Sequence, residues 1–341
     1  MGLSGGVDSS VAAALLIKQG FRVTGVTMRT WVEGEAGDVS RHGCYGPGKG
    51  KDIEQASNIA SILGIPFHVI DLSHEFKTKV LDYFCSEYLA GRTPNPCVRC
   101  NRFLKFGTLL EGARKLGLEF DYFAAGHYAR TEWDECSRRY LLKRGRDSSK
   151  GQSYFLYGLS QEQLAHAIFP LGTMLKDEVR KICRELGLEM EGRRESQDFA
   201  SGDYASLFAH QPGPGPVVDV HGRVLGTHRG IVHYTLGQHR GLGLTAPEPL
   251  YVVDIRANSN EIVVGRKEEL LRSEQVVDEL NWIAVSMLGG EEGSEGTNSE
   301  YALRVMTLPF HWWRVAVSMS YTRNHSLRRH ADNPLFSMRR M

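Results

Sequence analysis

Two clusters of residues have the types and spacing to do chemistry. The first is the heptad Ser4-Gly5-Gly6-Val7-Asp8-Ser9-Ser10. Glycines let a backbone bend tightly and bring its N–H groups close to an anion. A helix predicted to start at residue 8 adds partial positive charge at its N-terminus. Ser9 and Ser10 offer hydroxyl donors, and the carboxylate of Asp8 offers a ligand to Mg2+. No Gly-Lys-Ser/Thr follows, so this is not a Walker loop, and G-x-G-x-x-G spacing is absent. An Asp/Ser cap with glycines in a turn would use some of these residues. The full heptad before an amphipathic helix points instead to a pyrophosphate loop. The second cluster is Cys97-Val98-Arg99-Cys100, a C-x-x-C pair. Outside a secreted disulfide scaffold this spacing reads as metal, cluster or redox chemistry. A structural zinc site needs four ligands, and no second C-x-x-C exists to complete one.

These clusters need a scaffold. Residues 8–19 carry apolar side chains at helical spacing and stop at Gly20, and 21–28 are β-branched and read as a strand. A second helix (53–63) and strand (66–71) follow, then helices at 74–90 and 103–116, and a buried strand at 120–125 leading into Gly126-His127. Further helices fall at 161–168 and 174–187. Alternating strands and helices with short connections predict an α/β fold, a parallel sheet with helices on both faces. The tract 211–216 (QPGPGP) ends that texture. Short β-rich pieces follow at 217–220, 223–226, 230–235, 250–255 and 261–264, and 288–299 reads as a flexible linker. The expected domains are 1–204 (nucleotide-binding and catalytic), 205–268 (small, β-rich) and 269–341 (a degenerate or truncated C-terminal β domain).

Length and charge bound the rest. At ~150 residues per domain, 341 residues suggest two or three domains. Lys plus Arg is 41 and Asp plus Glu is 40, which excludes a wholly basic coat protein and an acidic disordered chain. No apolar run approaches the ~18 residues a bilayer span needs, and no signal peptide precedes the heptad. Both ends are unusual. Three residues precede the loop where a first strand of ~5 is expected. Residues 301–341 hold seven Arg, no Lys and one acid, with no clear alternation. The expectation is a misassigned start and a frameshift after about residue 303.

The heptad is the signature of the PP-loop ATP pyrophosphatases, and further segments narrow the resemblance. Gly91-Arg92-Thr93-Pro94-Asn95-Pro96, Cys97-Val98-Arg99-Cys100-Asn101, Lys105-Phe106-Gly107, Ala125-Gly126-His127-Tyr128, Gln152-Ser153-Tyr154-Phe155-Leu156, Phe169-Pro170-Leu171-Gly172 and Glu195-Ser196-Gln197-Asp198 keep the order of the tRNA-specific 2-thiouridylases of MnmA type. Tyr234-Thr235-Leu236-Gly237-Gln238 and Arg240-Gly241-Leu242-Gly243 resemble that family's central domain. The resemblance runs from residue 2 to about 300.

It implies a cytoplasmic enzyme, without a membrane, that adenylates O2 of a wobble uridine with ATP and Mg2+ and then replaces that oxygen with sulfur. Adenylation turns a poor leaving group into AMP, and positioned donors orient the α-phosphate. The implied nucleotide-binding residues are Gly2, Leu3, Ser4, Gly5, Gly6, Val7, Asp8, Ser9, Met28 and Gly126. Cys100 takes the catalytic cysteine position, where Arg99, Arg102 and Lys105 would favour its thiolate if they point inward. Asn95-Pro96 is expected to hold an extended loop. Two departures change the sulfur route. Cys97 stands where many members have Asp, and Phe199-Ala200-Ser201 has no thiol where they carry a second cysteine. Cys44, in RHGCYGPGKG, is the candidate third thiol. Cys44, Cys97 and Cys100 could ligate a 4Fe-4S cluster with one open iron, or Cys97 or Cys44 could resolve a Cys100 persulfide. Cys85, Cys136 and Cys183 read as structural.

The implied partners are tRNA of Lys, Glu and Gln type and a sulfur donor: a cysteine desulfurase, a relay protein or free sulfide. The implied tRNA contacts are Asn95, Pro96, Cys97, His127, Lys150, Gly151, Gln152 and Arg304, with Gly151 replacing the usual Asp. Basic residues cluster between 99 and 150, as a backbone-tracking surface would require. A PP-loop ligase acting on a small molecule and an inactive tRNA-binding remnant are the competing readings. The first predicts ATP–pyrophosphate exchange without RNA, the second tRNA binding without AMP release.

Overall fold

The computed structural model describes residues 1–31, 45, 49–188, 207, 208, 210–271, 280–286, 301–306 and 316–321, the last two segments as backbone. Cys44, the segment 195–201 and the linker at 288–299 lie outside the described residues. Two compact units emerge: Met1–Leu81 with Pro96–Gly202 and Asn281–Ser286, and Asp82–Asn95 with Asp203–Leu280 and Met287–Met341.

In the first unit, β1 (Gly25–Arg29) pairs in parallel with β2 (Phe67–Asp71), from Gly25 opposite Phe67 to Arg29 opposite Asp71. The expected strand at 21–28 is thus displaced toward its C-terminal half. Residues 1–3 take the place beside β1: Gly2 bridges Val26 in parallel, and Leu3 N–H donates to Val26 O. On their other side Gly2 N–H donates to Ala124 O of β3 (Phe123–Ala124), which pairs in parallel with β6 (Ala167–Ile168). Three residues therefore suffice for the central strand, because both neighbours satisfy their backbone groups. The spatial order is β2, β1, residues 1–3, β3, β6, a row that reverses direction beside its first strand.

Helices cover both faces. Leu3 packs with Val11, Ala12 and Ala13 of α1 (Val7–Lys18), Ala56 and Ile59 of α2 (Lys49–Ile62), and Val179 of α8 (Lys176–Glu185). Val26, Ile70 and Phe123 pack instead with Phe106 and with Leu109 and Ala113 of α6 (Leu109–Lys115). The predicted helix at 103–116 begins earlier, as α5 (Pro96–Arg99), widens into a π-helix at Cys100–Thr108, and returns to α6. Between β3 and β6 the chain adds the hairpin β4 (Ala129–Asp134) and β5 (Arg139–Arg144) and the short helix α7 (Gln161–Ala165). Asn281 Nδ2 donates to Tyr157 O and Leu159 O, tying residues 281–286 into this unit.

The second unit holds a four-stranded sheet in the order β8 (Val224–His228), β7 (Gly215–Asp219), β10 (Glu261–Gly265), β9 (Tyr251–Arg256). Val218, Val253, Val263 and Leu270 form its core. The piece expected as a strand at 230–235 is instead a 3-10 turn, Ile231–His233, after Gly230 at φ +130. Helix α4 (Asp82–Leu89) belongs here, with Phe84 and Tyr88 against Phe208. Residues 301–306 and 316–321 pair as an antiparallel hairpin, a regularity their side-chain pattern does not display.

Candidate active site

The phosphate loop leaves the sheet where the strand order reverses, the place at which open α/β sheets form a crevice. Gly5 has φ +76, and a Cβ there would lie 2.8 Å from the Asp52 carbonyl oxygen and 3.1 Å from the Ala56 nitrogen. Only glycine fits that bend. Ser9 and Ser10 are buried, and their hydroxyls donate to the Gly6 carbonyl at 3.0 and 2.9 Å. Ser9 Oγ also accepts from the Ser4 N–H. Both serines thus shape the loop from within. Gly126, following β3, approaches the loop so closely that a Cβ would sit 2.9 Å from the Asp8 carbonyl carbon and the Ser9 nitrogen. Met28 lies near the C-terminal end of β1, half-buried against the core. The loop, Met28 and Gly126 all follow from C-terminal ends of neighbouring strands.

Asp8 is held by residues from distant segments. Lys176 Nζ donates to both its carboxylate oxygens at 2.8 Å, and Tyr128 Oη donates to Oδ1 at 2.8 Å. The Lys176 side chain is 8% exposed and that of Asp8 28%. Asp147 anchors this lysine from behind, accepting the Lys176 backbone N–H at 2.9 Å. The Ser149 hydroxyl and the Lys176 N–H hold the Asp147 carboxyl below the usual carboxylate range. Asp8 was expected to serve Mg2+, yet its charge is already matched by an ammonium. Among the described residues no three His, Cys, Asp or Glu side chains gather to hold a metal. Mg2+ is bound through substrate phosphates and one or two carboxylates rather than by an all-protein cage, and Asp8 is the carboxylate on this loop.

The cysteines stand on a helix where an extended loop is expected. Pro96 opens α5, a position its fixed φ suits, and proline pushes only the preceding residue into extended backbone. Extension therefore ends at Asn95, and Cys97 and Cys100 fall one helical turn apart. Cys97 is half-buried and Cys100 buried. The guanidinium carbons of Arg99 and Arg102 lie 4.6 and 4.9 Å from the Phe103 ring centre, flanking that ring. Asn101 donates from Nδ2 to Phe155 O at 3.1 Å, and the Phe155 N–H donates to Gln152 O. Gln152 Oε1 in turn accepts the Tyr128 N–H at 3.0 Å. Phe106 of the π-helix has its ring centre 6.4 Å from that of His127, the residue after Gly126. One connected set of contacts thus joins the thiol helix to the loop.

Residues 1–200 match the family described as the tRNA methyl transferase HUP domain, and residues 208–266 the tRNA methyl transferase PRC-barrel domain. The tRNA-specific 2-thiouridylase MnmA 2 of Thermoanaerobacter sp. (strain X514) is 50% identical over 300 residues, covering 85% of this chain and 81% of that protein. The MnmA 1 of Caldanaerobacter subterraneus subsp. tengcongensis is 49% identical over 300 residues with the same coverage. The MnmA of Clostridioides difficile (strain 630) is 42% identical over 295 residues, covering 84% of this chain and 80% of that protein. The chain belongs to the tRNA-specific 2-thiouridylase family.

The remaining residues expected at the site are placed unequally. His127 is half-buried, with Nδ1 enclosed. Burial first, and the Lys105 ammonium second, push its pKa down to about 3. A neutral imidazole at this position can stack or hydrogen-bond but brings no charge to a phosphate. Because the unfolded value is near 6.5, the unfolded chain binds the extra proton between those values. His127 therefore contributes stability that is complete above about pH 6.5 and is lost as pH falls toward 3. Urea midpoints measured from pH 7 down to 4.5 are expected to fall more steeply for the native protein than for His127→Gln; equal slopes would contradict the assignment.

Lys150 ends a 3-10 turn (Ser148–Lys150) whose Asp147 cap is the anchor of Lys176, and Gly151 follows it. Of the basic cluster, Lys143 pairs with Glu132, Arg146 with Glu178, and Arg139 donates to the carbonyls of Trp282 and Ile283. Part of that charge holds the unit together. Arg304 lies on β11 (Tyr301–Met306), described as backbone. Asn95 is buried in the second unit. Burial and the nearby Asp82 push the Cys85 thiol up to about 11, and burial raises Cys183, as suits structural cysteines. Sequence reading missed Lys176 and Tyr128. A lysine in the first turn of a helix opposes the helix dipole, and that mismatch at Lys176-Asp177-Glu178 is the signal that could have found it. No described helix is long and apolar enough to cross a membrane.

Proposed function

We propose that this chain is an ATP-dependent tRNA 2-thiouridylase: it adenylates O2 of the wobble uridine and transfers sulfur to C2, giving 2-thiouridine, AMP and pyrophosphate. The observation that carries the reading is the contact chain from the phosphate loop through Gly126 and His127 to the helix bearing Cys97 and Cys100. A small-molecule ligase has no use for a thiol beside its nucleotide pocket. The loop backbone of residues 4–9, with Gly2, Leu3, Met28 and Gly126 around it, holds the nucleotide, and Mg2+ arrives with the phosphates. The tRNA contacts proposed from the family resemblance are Asn95, Pro96, Cys97, His127, Lys150, Gly151, Gln152 and Arg304, and the proposed substrates are Lys, Glu and Gln tRNAs.

Cys100 carries the sulfur as a persulfide. Its terminal sulfur bonds to C2 as the C–O bond to AMP breaks. The Cys97 thiolate then bonds to Cys100 Sγ as the S–S bond breaks, leaving sulfur on C2 and a Cys97–Cys100 disulfide. An external dithiol reduces it. The alternative route is a 4Fe-4S cluster on Cys44, Cys97 and Cys100 whose open iron binds sulfide. The test is anaerobic incubation with tRNA, ATP, a dithiol and a cysteine desulfurase with cysteine as the source of sulfane sulfur, in parallel with sulfide as the donor for the cluster route, followed by nucleoside mass spectrometry. A 2-thiouridine product dependent on ATP supports the reading. Unmodified uridine with every donor, iron reconstituted or not, overturns it.

A further inference from the structure

We propose that Gln163 is a positioning residue for Cys100, holding open the π-helix from which that thiol projects; this rests on the function proposed above. A π-helix is rare, its hydrogen-bond ring spans one residue more than an α-turn, and such turns concentrate at functional sites. Each widened turn rotates the residues upstream by about 100° relative to a continuous α-helix. The orientation of Cys100, the first residue of the widened stretch Cys100–Thr108, therefore depends on whether that stretch stays wide.

Gln163 engages its backbone from outside. Its Nε2 donates to Arg102 O at 3.0 Å and to Phe106 O at 2.8 Å, two carbonyls one turn apart on one side of the helix. A side chain inserted this way competes with the helix's own ladder. The amide is itself fixed from the other end. Gln163 Oε1 accepts the Ser160 N–H at 2.9 Å, and Ser160 Oγ accepts the Gln163 N–H at 3.1 Å, a reciprocal cap at the start of α7. Gly158 leaves room for the approach: a Cβ there would stand 3.2 Å from Arg102 Cδ. Within the π-helix Thr108 Oγ1 donates to Phe103 O, and Lys79 Nζ to Thr108 Oγ1, adding a second brace. One glutamine thus serves two partners with two different atoms, and the roles can be separated.

Gln163→Glu keeps the oxygen that caps α7 and removes both donors to the π-helix. Gln163→Lys keeps a donor and removes the capping oxygen. Gln163→Met removes both without adding charge. Gln163→Glu and Gln163→Met are expected to slow single-turnover sulfur transfer about tenfold, since small misplacements of a reacting group are costly. The KM for tRNA and tRNA-dependent ATP–pyrophosphate exchange should stay within about twofold. Peptide mapping should show the iodoacetamide alkylation rate at Cys100 altered at least threefold. Gln163→Lys should retain more transfer than either, even where its melting temperature is lower. Wild-type transfer and alkylation in Gln163→Met overturn the inference, as does a loss that follows melting temperature alone across the three variants. If the native protein forms no 2-thiouridine the underlying function fails instead, and if Cys100→Ser thiolates normally it is the role of Cys100 that fails.

Discussion

Cys100→Ser is expected to reduce 2-thiouridine formation by at least ~10^3-fold while tRNA-dependent ATP–pyrophosphate exchange stays within about twofold of the native rate. Sulfur must leave this position with an electron pair to spare, and a serine oxygen can neither carry a persulfide nor release one. The substitution exchanges one atom for a smaller one at a buried site, so the packing around it is retained. Adenylation is proposed for the loop at residues 4–9, and the thiol stands on a separate helix. The two half-reactions should therefore separate cleanly. Nucleoside mass spectrometry reads the first and labelled pyrophosphate exchange the second. Undiminished thiolation would remove Cys100 from the mechanism.

Lys176→Met should produce the second large effect, on the other half-reaction. Its ammonium matches the Asp8 carboxylate at 2.8 Å in a largely enclosed setting. Removing one partner of a buried ion pair costs ~3–5 kcal/mol, and the partial exposure of Asp8 puts this case at or below the low end of that range. The greater consequence is electrostatic. An unmatched carboxylate at the mouth of the phosphate loop repels the triphosphate the loop must bind, and exchange should fall ~10^2-fold or more. Asp8→Asn combined with Lys176→Met removes both charges. That double variant should regain most of the lost stability in urea without regaining full exchange, because the loop is still deprived of its anchor. Native exchange rates in Lys176→Met would show the pair to be structural alone.

Much of this site is written locally. The heptad at 4–10, the helix behind it, and the strand–helix alternation follow from glycine freedom and apolar periodicity, which neighbouring residues express by themselves. The C-x-x-C spacing likewise marks its chemistry without a fold. The boundaries that shifted are those where a distant partner decides. Residues 1–3 serve as a strand because Val26 and Ala124 bond them on both sides. The segment 230–235 turns at Gly230, φ +130, where a Cβ would stand 2.6 Å from the Pro212 carbonyl oxygen. The helix before residue 103 begins at Pro96 and widens at Cys100, where Gln163 donates from 57 and 61 positions away.

What the amino-acid order determined alone was the family, the fold class and the two reactive segments, since each is a short-range pattern of residue types. What only the folded chain decided was which charges meet. Lys176 reaches Asp8 across 168 positions, and part of the basic cluster from 99 to 150, namely Arg139, Lys143 and Arg146, is engaged within the protein. Side-chain partners depend on the register of the whole sheet, and no local spacing encodes that.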